Sequence, residues 1–374
     1  MTHYRTTGKE PRKAIDRARE QILKLVMGEG KAVGLTDLQS IWFTACGTES
    51  DNLAIQLAVQ SNAGKAKKHV VSCNVEHPAV ELYLKHLEAE NIIDVTYVPV
   101  DEDGRVNAKD VIAALTKDTV LTTIMLANNE SGALQPIKEI SKECRARKIL
   151  MHTDAAQATG KVSCHLEDLG FPDMISLVGH KMGAPKGIAA LYVRPGCLEE
   201  GGRKVGHDHG ILLIGGGQEF GRRGGTENTP YIVGFGHAAE MAEQNLVKNA
   251  RHMESLRGRL LLQLQEKLGF NKVRANGPTD PSLRLPNTLS VGLENIHSGD
   301  LLGEIGHLVA ASAGATCHSA SGVSSILRAM KVPDAFARGT LRLSLGPKTT
   351  PQDVDRAANI IADAAKKQWK ANSK

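Results

Sequence analysis

Hydrophobic positions in the first two-thirds of the chain fall into short unbroken runs separated by amphipathic stretches. Ile41-Trp42-Phe43-Thr44, Val70-Val71-Ser72-Cys73, Val95–Val98, Val120–Leu126, Ile149–His152, Met174–Val178 and Ala189–Val193 each read as a strand. The intervening stretches repeat their apolar residues at helical spacing. An opening helix over about Pro11 to Met27 places Ile15, Ala18, Ile22, Leu25 and Val26 on one face. Leu53, Leu57 and Ala58 mark a second helix, and Val80, Tyr83, Leu84 and Leu87 a third. Apolar strands alternating with helices predict an α/β fold, a mainly parallel sheet covered on both faces.

The pattern changes near Tyr231. One long helical stretch runs to Leu268. Strands are expected at Thr288–Leu293 and Arg342-Leu343-Ser344-Leu345. A last helix opens at Thr350-Pro351, a capping residue followed by proline at the first helical position. Its face is Val354, Ala357, Ala358, Ile361 and Ala365. The expectation is a large domain over residues 1–250 and a smaller C-terminal α+β domain over residues 251–374.

Composition agrees and removes several classes of function. At 374 residues the chain exceeds what one core usually serves. The net charge of +5 is spread over interspersed Lys and Arg, without the basic stripe that nucleic acid requires. Aromatics, at 3%, are too few for a base-stacking platform. The N-terminus lacks the apolar core of a signal peptide, and no apolar run reaches membrane-spanning length. The six cysteines are scattered, with no CxxC pair. That argues against a metal site or a disulfide framework, and for a reducing compartment such as the cytoplasm.

In an open parallel sheet ligands gather at the carboxyl ends of the strands. Two such ends carry a suggestive pair: His152-Thr153-Asp154-Ala155-Ala156-Gln157 and Gly179-His180-Lys181. A lysine able to form a Schiff base, with an acid able to keep a pyridine nitrogen protonated, is what pyridoxal 5′-phosphate (PLP) needs. Asp154 is equally suited to capping a helix. Lys186 competes with Lys181, but sits in Pro185-Lys186-Gly187, which reads as a turn.

Other strand ends add candidates. Gly47-Thr48-Glu49-Ser50 lies between a strand and a helix, where backbone N–H groups bind phosphate; Thr48 or Ser50 would also serve as a plain helix cap. His77 follows the next strand, as a proton carrier beside a ring or as a structural histidine. Asn128-Asn129-Glu130-Ser131-Gly132 has the composition of an ordinary turn. The glycine-rich stretch from Gly215 to Asn228 lacks the strand–turn–helix spacing of a dinucleotide fingerprint. It suits a second phosphate-contacting loop or a flexible surface loop. Cys317, among small and polar residues, suits an accessible thiol or a buried inert one. Arg342 offers a planar clamp for an α-carboxylate, or is a stray surface arginine.

Together these stretches resemble the cysteine desulfurase family of PLP enzymes, aminotransferase class V, and within it most closely the selenocysteine lyase branch. The likeness runs from Gly8 to about Asp353. It includes Val75-Glu76-His77, Leu126 to Gly132, Gly215-Gly216-Gly217-Gln218-Glu219, Gly225-Thr226-Glu227-Asn228 and Cys317-His318-Ser319. The resemblance implies PLP fold type I and a homodimer. It implies that Lys181 is the Schiff-base lysine, that His77 stacks on the ring and shuttles protons, and that Asp154 pairs with the pyridinium and Gln157 with the ring hydroxyl. Thr48 and His180 would hold the phosphate, with Thr226 reaching in from the other subunit. Asn129 and Arg342 would bind the substrate carboxylate, and Cys317 would attack the chalcogen.

The implied reaction removes selenium from L-selenocysteine, or sulfur from L-cysteine, leaving L-alanine. An acceptor protein for the sulfur or selenium is a further implied partner. The family opens with a short strand carrying a small Ala-Thr-Thr-like motif that nothing here matches. An N-terminally truncated, inactive interaction form is therefore an alternative to the enzyme. A plain aminotransferase is another, with no use for Cys317. Phe220 stands where the family often has arginine, and Met182-Gly183-Ala184-Pro185 replaces its usual aromatic-glycine-proline run.

Overall fold

A computed structural model describes residues 9–28, 30, 34–62, 64–198, 211–313 and 323–372. They form two compact units. The first comprises residues up to 98, then 107–126 and 136–246. The second comprises 99–106, 127–135 and the chain from 247 onward. The expected single boundary after residue 250 makes no provision for the two short excursions at 99–106 and 127–135.

The first unit is built on seven strands: β1 (Ile41–Thr44), β2 (His69–Cys73), β3 (Asp94–Val98), β4 (Thr119–Thr123), β5 (Leu150–Asp154), β6 (Met174–Val178) and β7 (Ala189–Val193). Their order is β1-β7-β6-β5-β4-β2-β3. The four pairings from β6 across to β3 are parallel, and β7 runs antiparallel to both its neighbours. The sheet is thus mainly parallel, as the unbroken apolar runs require.

Helix α1 (Lys9–Met27) precedes β1, and α2 (Gly47–Ser61), α3 (Pro78–Ala89), α4 (Ala108–Ala114) and α5 (Ile137–Ala146) lie between successive strands from β1 to β5. Helix α2 buries Leu53, Ala54, Ile55, Leu57, Ala58 and Val59, nearly all round its circumference, in a core with Val70, Leu121, Met174 and Leu191. Helix α3 starts where it does because His77 caps it and Pro78 supplies a preset first turn.

Two expected ends moved. The run through Leu126 is β4 only as far as Thr123, where its ladder with β5 ends, but Ile124 and Leu126 still donate N–H bonds to the carbonyls of His152 and Asp154. Strand β5 extends to Asp154, so that residue closes the strand and caps no helix; its carboxylate instead accepts the Ala156 N–H at 2.8 Å.

The 40-residue helix α6 (Thr229–Leu268) contains the chain boundary between the units. The second unit has the antiparallel sheet β10-β11-β9-β8, formed by β8 (Val273–Asn276), β9 (Thr288–Leu293), β10 (Ser312–Ala313) and β11 (Thr340–Ser344). Helices α7 (Ser298–Ile305) and α8 (Pro351–Asn372) share its core with Leu256, Leu260, Leu264, Val291 and Leu341. Thr350 and Asp353 make a reciprocal capping box at the head of α8: Thr350 N–H donates to Asp353 at 2.9 Å, and Asp353 N–H donates back to the Thr350 hydroxyl at 3.2 Å.

Candidate active site

The first unit brings its candidates to the carboxyl ends of the parallel strands. Asp154 ends β5 with 7% of its surface exposed. Burial raises its pKa above the ordinary carboxylate value. The Ala156 N–H and the charges of His77 and Lys181 oppose that rise, so these three side chains share one electrostatic neighbourhood. Lys181 ends the single 3-10 turn Gly179–Lys181 that follows β6. Lys186 lies in the exposed turn before β7, as its sequence context predicts.

His77 follows β2. Its Nδ1 accepts the Ala79 N–H at 3.1 Å, which places the ring proton on Nε2 in the neutral form. It therefore caps α3 and still presents a donor nitrogen. Burial and the nearby charges of Lys181 and Lys186 lower the pKa of His180. Gln157 is half-buried in the turn after β5.

Thr48 lies in the first turn of α2, whose N-cap is Cys46 and not a hydroxyl residue; Cys46 makes no side-chain capping bond. Ser50 is turned inward and bonds Thr44 at 2.6 Å. The head of α2 thus has the positive end of a helix dipole without a side-chain cap, as a phosphate site requires. Gly47 is needed there: a Cβ would stand 2.7 Å from Val178 Cγ2.

Thr226 is exposed. It lines a cavity of about 210 Å³ with Phe43, Thr44, Arg223 and Asn228. Its glycine-rich loop is anchored, not loose. Glu219 is 4% exposed and is gripped by Arg19 through two bonds of 2.7 and 2.9 Å. Arg223 holds Glu49 on α2 at 2.8 Å.

The second unit holds Asn129 and Arg342. Arg342, on β11, donates to the Asn129 carbonyl at 2.9 Å and to the Ser312 hydroxyl at 3.2 Å. Asn129 Oδ1 is buried and unpartnered among the described residues. Asn128, by contrast, is structural: its Oδ1 accepts from the Glu130 and Ser131 N–H groups. Cys317 lies outside the described residues.

Several residues that the sequence reading did not single out stand at the same strand ends. Burial pushes Glu76 up to about 8. Its Oε1 accepts the Met125 N–H at 2.9 Å, while Oε2 has no partner among the described residues. Asp51, on the buried face of α2, has its pKa raised by burial and by Asp154. Lys161 Nζ donates to the backbone carbonyl of Lys181 at 3.1 Å. Glu76, next to His77 after β2, offered a strand-end signal; Asp51, inside the polar run Thr48-Glu49-Ser50-Asp51-Asn52, offered none.

These residues fit PLP on the chain's own chemistry. An uncapped helix head suits the phosphate, a buried carboxylate suits the ring nitrogen, and a lysine stands at the next strand end. Such a sheet with such a set of strand ends defines a PLP enzyme of fold type I. The sequence profile described as Aminotransferase class-V matches residues 3–357. The chain belongs to the class V aminotransferase family, whose cofactor is PLP. It is 37% identical over 359 residues to the cysteine desulfurase IscS of Clostridium botulinum (strain Hall), covering 96% of this chain and 85% of that one. It is 36% identical over 390 residues to the selenocysteine lyase of Bos taurus, covering 96% and 84%. A solved NifS-like protein superposes with a TM-score of 0.81 at 32% identity, over 95% of this chain and 88% of its own.

Proposed function

We propose that this chain removes sulfur or selenium from L-cysteine or L-selenocysteine and releases L-alanine. The observation that carries the reading is the shared neighbourhood of His77, Asp154 and Lys181 at three strand ends. Relatives named cysteine desulfurase and selenocysteine lyase, at 36–37% identity, point the same way.

Lys181 carries the cofactor. Asp154 holds the proton on the ring nitrogen, with its Oδ1 kept in place by the Ala156 N–H. Gln157 bonds the ring hydroxyl. Thr48 and His180 hold the phosphate, joined by Thr226 of the partner subunit in a homodimer. When bound, PLP supplies the electron sink that acidifies the substrate Cα–H and loosens its bond from Cβ to sulfur or selenium. His77 moves the proton through Nε2. Asn129 and Arg342 bind the substrate carboxylate: two guanidinium donors are fixed on the Asn129 carbonyl and Ser312, and among the described residues the remaining N–H groups of the fork have no other acceptor.

The Cys317 thiolate attacks the substrate sulfur. A sulfur–sulfur bond forms and the carbon–sulfur bond breaks. Sulfur is oxidised to the persulfide level as Cβ is reduced to the methyl of alanine, so the thiol and cysteine give persulfide and alanine with no outside oxidant. An acceptor protein in a reducing compartment then takes the sulfur or selenium. Among the described residues no helix is long and apolar enough to cross a membrane.

The test is reconstitution with PLP, borohydride reduction and peptide mapping, beside an alanine assay. Cofactor fixed on Lys181, loss of the visible band in Lys181→Ala, and alanine from either substrate are expected. Cofactor on Lys186, or a folded protein that binds none, would refute the assignment.

A further inference from the structure

Asp51 lies in the second turn of α2 with 2% of its surface exposed. Its Oδ1 has no hydrogen-bond partner among the described residues and stands 3.7 Å from His152 Nε2. Its carboxyl group shares a hydrogen bond with the Ser176 hydroxyl, the one contact here that favours the ionised form. Ser176 Oγ also lies 3.0 Å from His152 Nε2, and His152 Nδ1 lies 2.8 Å from the Thr123 hydroxyl. Ser176 pairs in register with Asp154 across β5 and β6. A continuous chain of polar atoms therefore runs from Asp51 through Ser176 and His152 to Thr123, under the residue assigned to the ring nitrogen.

The titratable neighbours of Asp51 oppose its ionisation whenever they are themselves anionic. They are Asp154 on β5, Glu76 after β2, which itself holds its proton up to about pH 8, and Cys46 at the head of its own helix. His152 gives no compensating charge, because burial holds its pKa near about 3. Asp154 is treated differently, with the Ala156 N–H and the charges of His77 and Lys181 on its side. One buried pair of carboxyl groups thus has one member supplied with a backbone donor and two cationic neighbours and one member with the Ser176 hydroxyl and no cation. Like-charged carboxyl groups in such a setting share a proton rather than ionise together.

We infer that Asp51 is a positioning residue carried as a neutral carboxylic acid, which donates through Ser176 to His152 and leaves Asp154 as the sole anion of the pair facing the cofactor ring. The inference deepens the proposed function and, for the role of Asp154, rests on it. An ionised Asp51 would place a second negative charge behind the ring nitrogen and couple that nitrogen to the pH of the medium. A neutral one keeps it constant.

Infrared spectroscopy of wild type, Asp51→Asn and Glu76→Gln tests this on the cofactor-free protein and on the reconstituted one. A protonated-carboxyl C=O stretch is expected at neutral pH that vanishes in Asp51→Asn and survives in Glu76→Gln. In the reconstituted protein the pH midpoint of the visible band is expected to stay within a few tenths of a unit in Asp51→Asn, since one neutral group replaces another. Loss of a buried charge would move it by about one unit or more. Such a move, or an infrared spectrum unchanged in Asp51→Asn, overturns the inference. Carboxyl 13C shifts of aspartate-labelled wild type give the same answer without a substitution. A folded protein that takes up no PLP refutes the cofactor reading alone, because the infrared and 13C measurements still decide where the proton is.

Discussion

Arg19→Met is expected to destabilise the first unit by about 3–5 kcal/mol, the cost of stripping one partner from a buried ion pair. Arg19 is 1% exposed and Glu219 4%. The guanidinium makes two bonds to the carboxylate, at 2.7 and 2.9 Å, and a further bond to the Ile41 carbonyl. Its central carbon sits 4.7 Å from the Phe43 ring centre and 5.1 Å from that of Phe220. Methionine preserves most of the stem but removes every donor. The Phe43 N–H, at 2.8 Å, is then the one remaining hydrogen bond to the Glu219 carboxylate among those described. The lost cation–π contacts add about 0.5–2 kcal/mol. In Arg19→Met with Glu219→Met no charge is left buried, so the pair should cost at least about 2 kcal/mol less than the sum of the singles. Trp42, close to this anchor, reports urea unfolding in a Trp369→Phe background, because Trp369 belongs to the second unit. A single-mutant cost under about 1 kcal/mol, or strict additivity, would refute the view that this pair pins the glycine-rich loop.

Three further outcomes follow from the site. Glu76 keeps its proton up to about pH 8 when folded, but releases it near pH 4.3 in an unfolded chain. Between those values the native state binds the extra proton, so stability falls as pH rises, by up to about 1.4 kcal/mol per pH unit. Glu76→Gln should flatten that slope in urea unfolding between pH 5.5 and 7.5; equal slopes would contradict it. Gly47→Ala should weaken PLP binding at least about tenfold by driving a Cβ against Val178, the equivalent of about 1.4 kcal/mol, and adding Val178→Ala should restore it in a cofactor titration. Cys317→Ala should lose cysteine turnover more severely than selenocysteine turnover, because the weaker carbon–selenium bond gives alanine and selenium at the elemental level with less help from a nucleophile. Equal losses in alanine release would indicate an ordinary cysteine desulfurase.

Much of the first unit was legible because buried parallel strands are written as unbroken apolar runs. The capping residues at His77-Pro78 and Thr350-Pro351 marked two helix starts. The second sheet was half legible. Val273-Arg274-Ala275-Asn276 alternates too weakly to read as β8, and the two-residue β10 carries no periodicity at all. Strand-end chemistry exposed Asp154, Lys181 and His77. What the sequence hid depends on long-range pairing. Arg19 and Glu219 lie 200 residues apart, so the anchor of a loop that composition alone would allow to be mobile is invisible until the chain is folded. Asp51 was hidden differently. On α2 it reads as an ordinary polar residue near the head of a helix, and only burial against β5 and β6 reveals a carboxyl group with nowhere to discharge.

The central claim is tested most directly by a single-turnover reaction of the PLP-loaded protein with L-cysteine in the absence of reductant, with alanine quantified and the Cys317 peptide weighed by mass spectrometry. The account predicts one alanine per subunit and one added sulfur atom on Cys317. A keto acid in place of alanine, or alanine formed with Cys317 unmodified throughout the reaction, would contradict it.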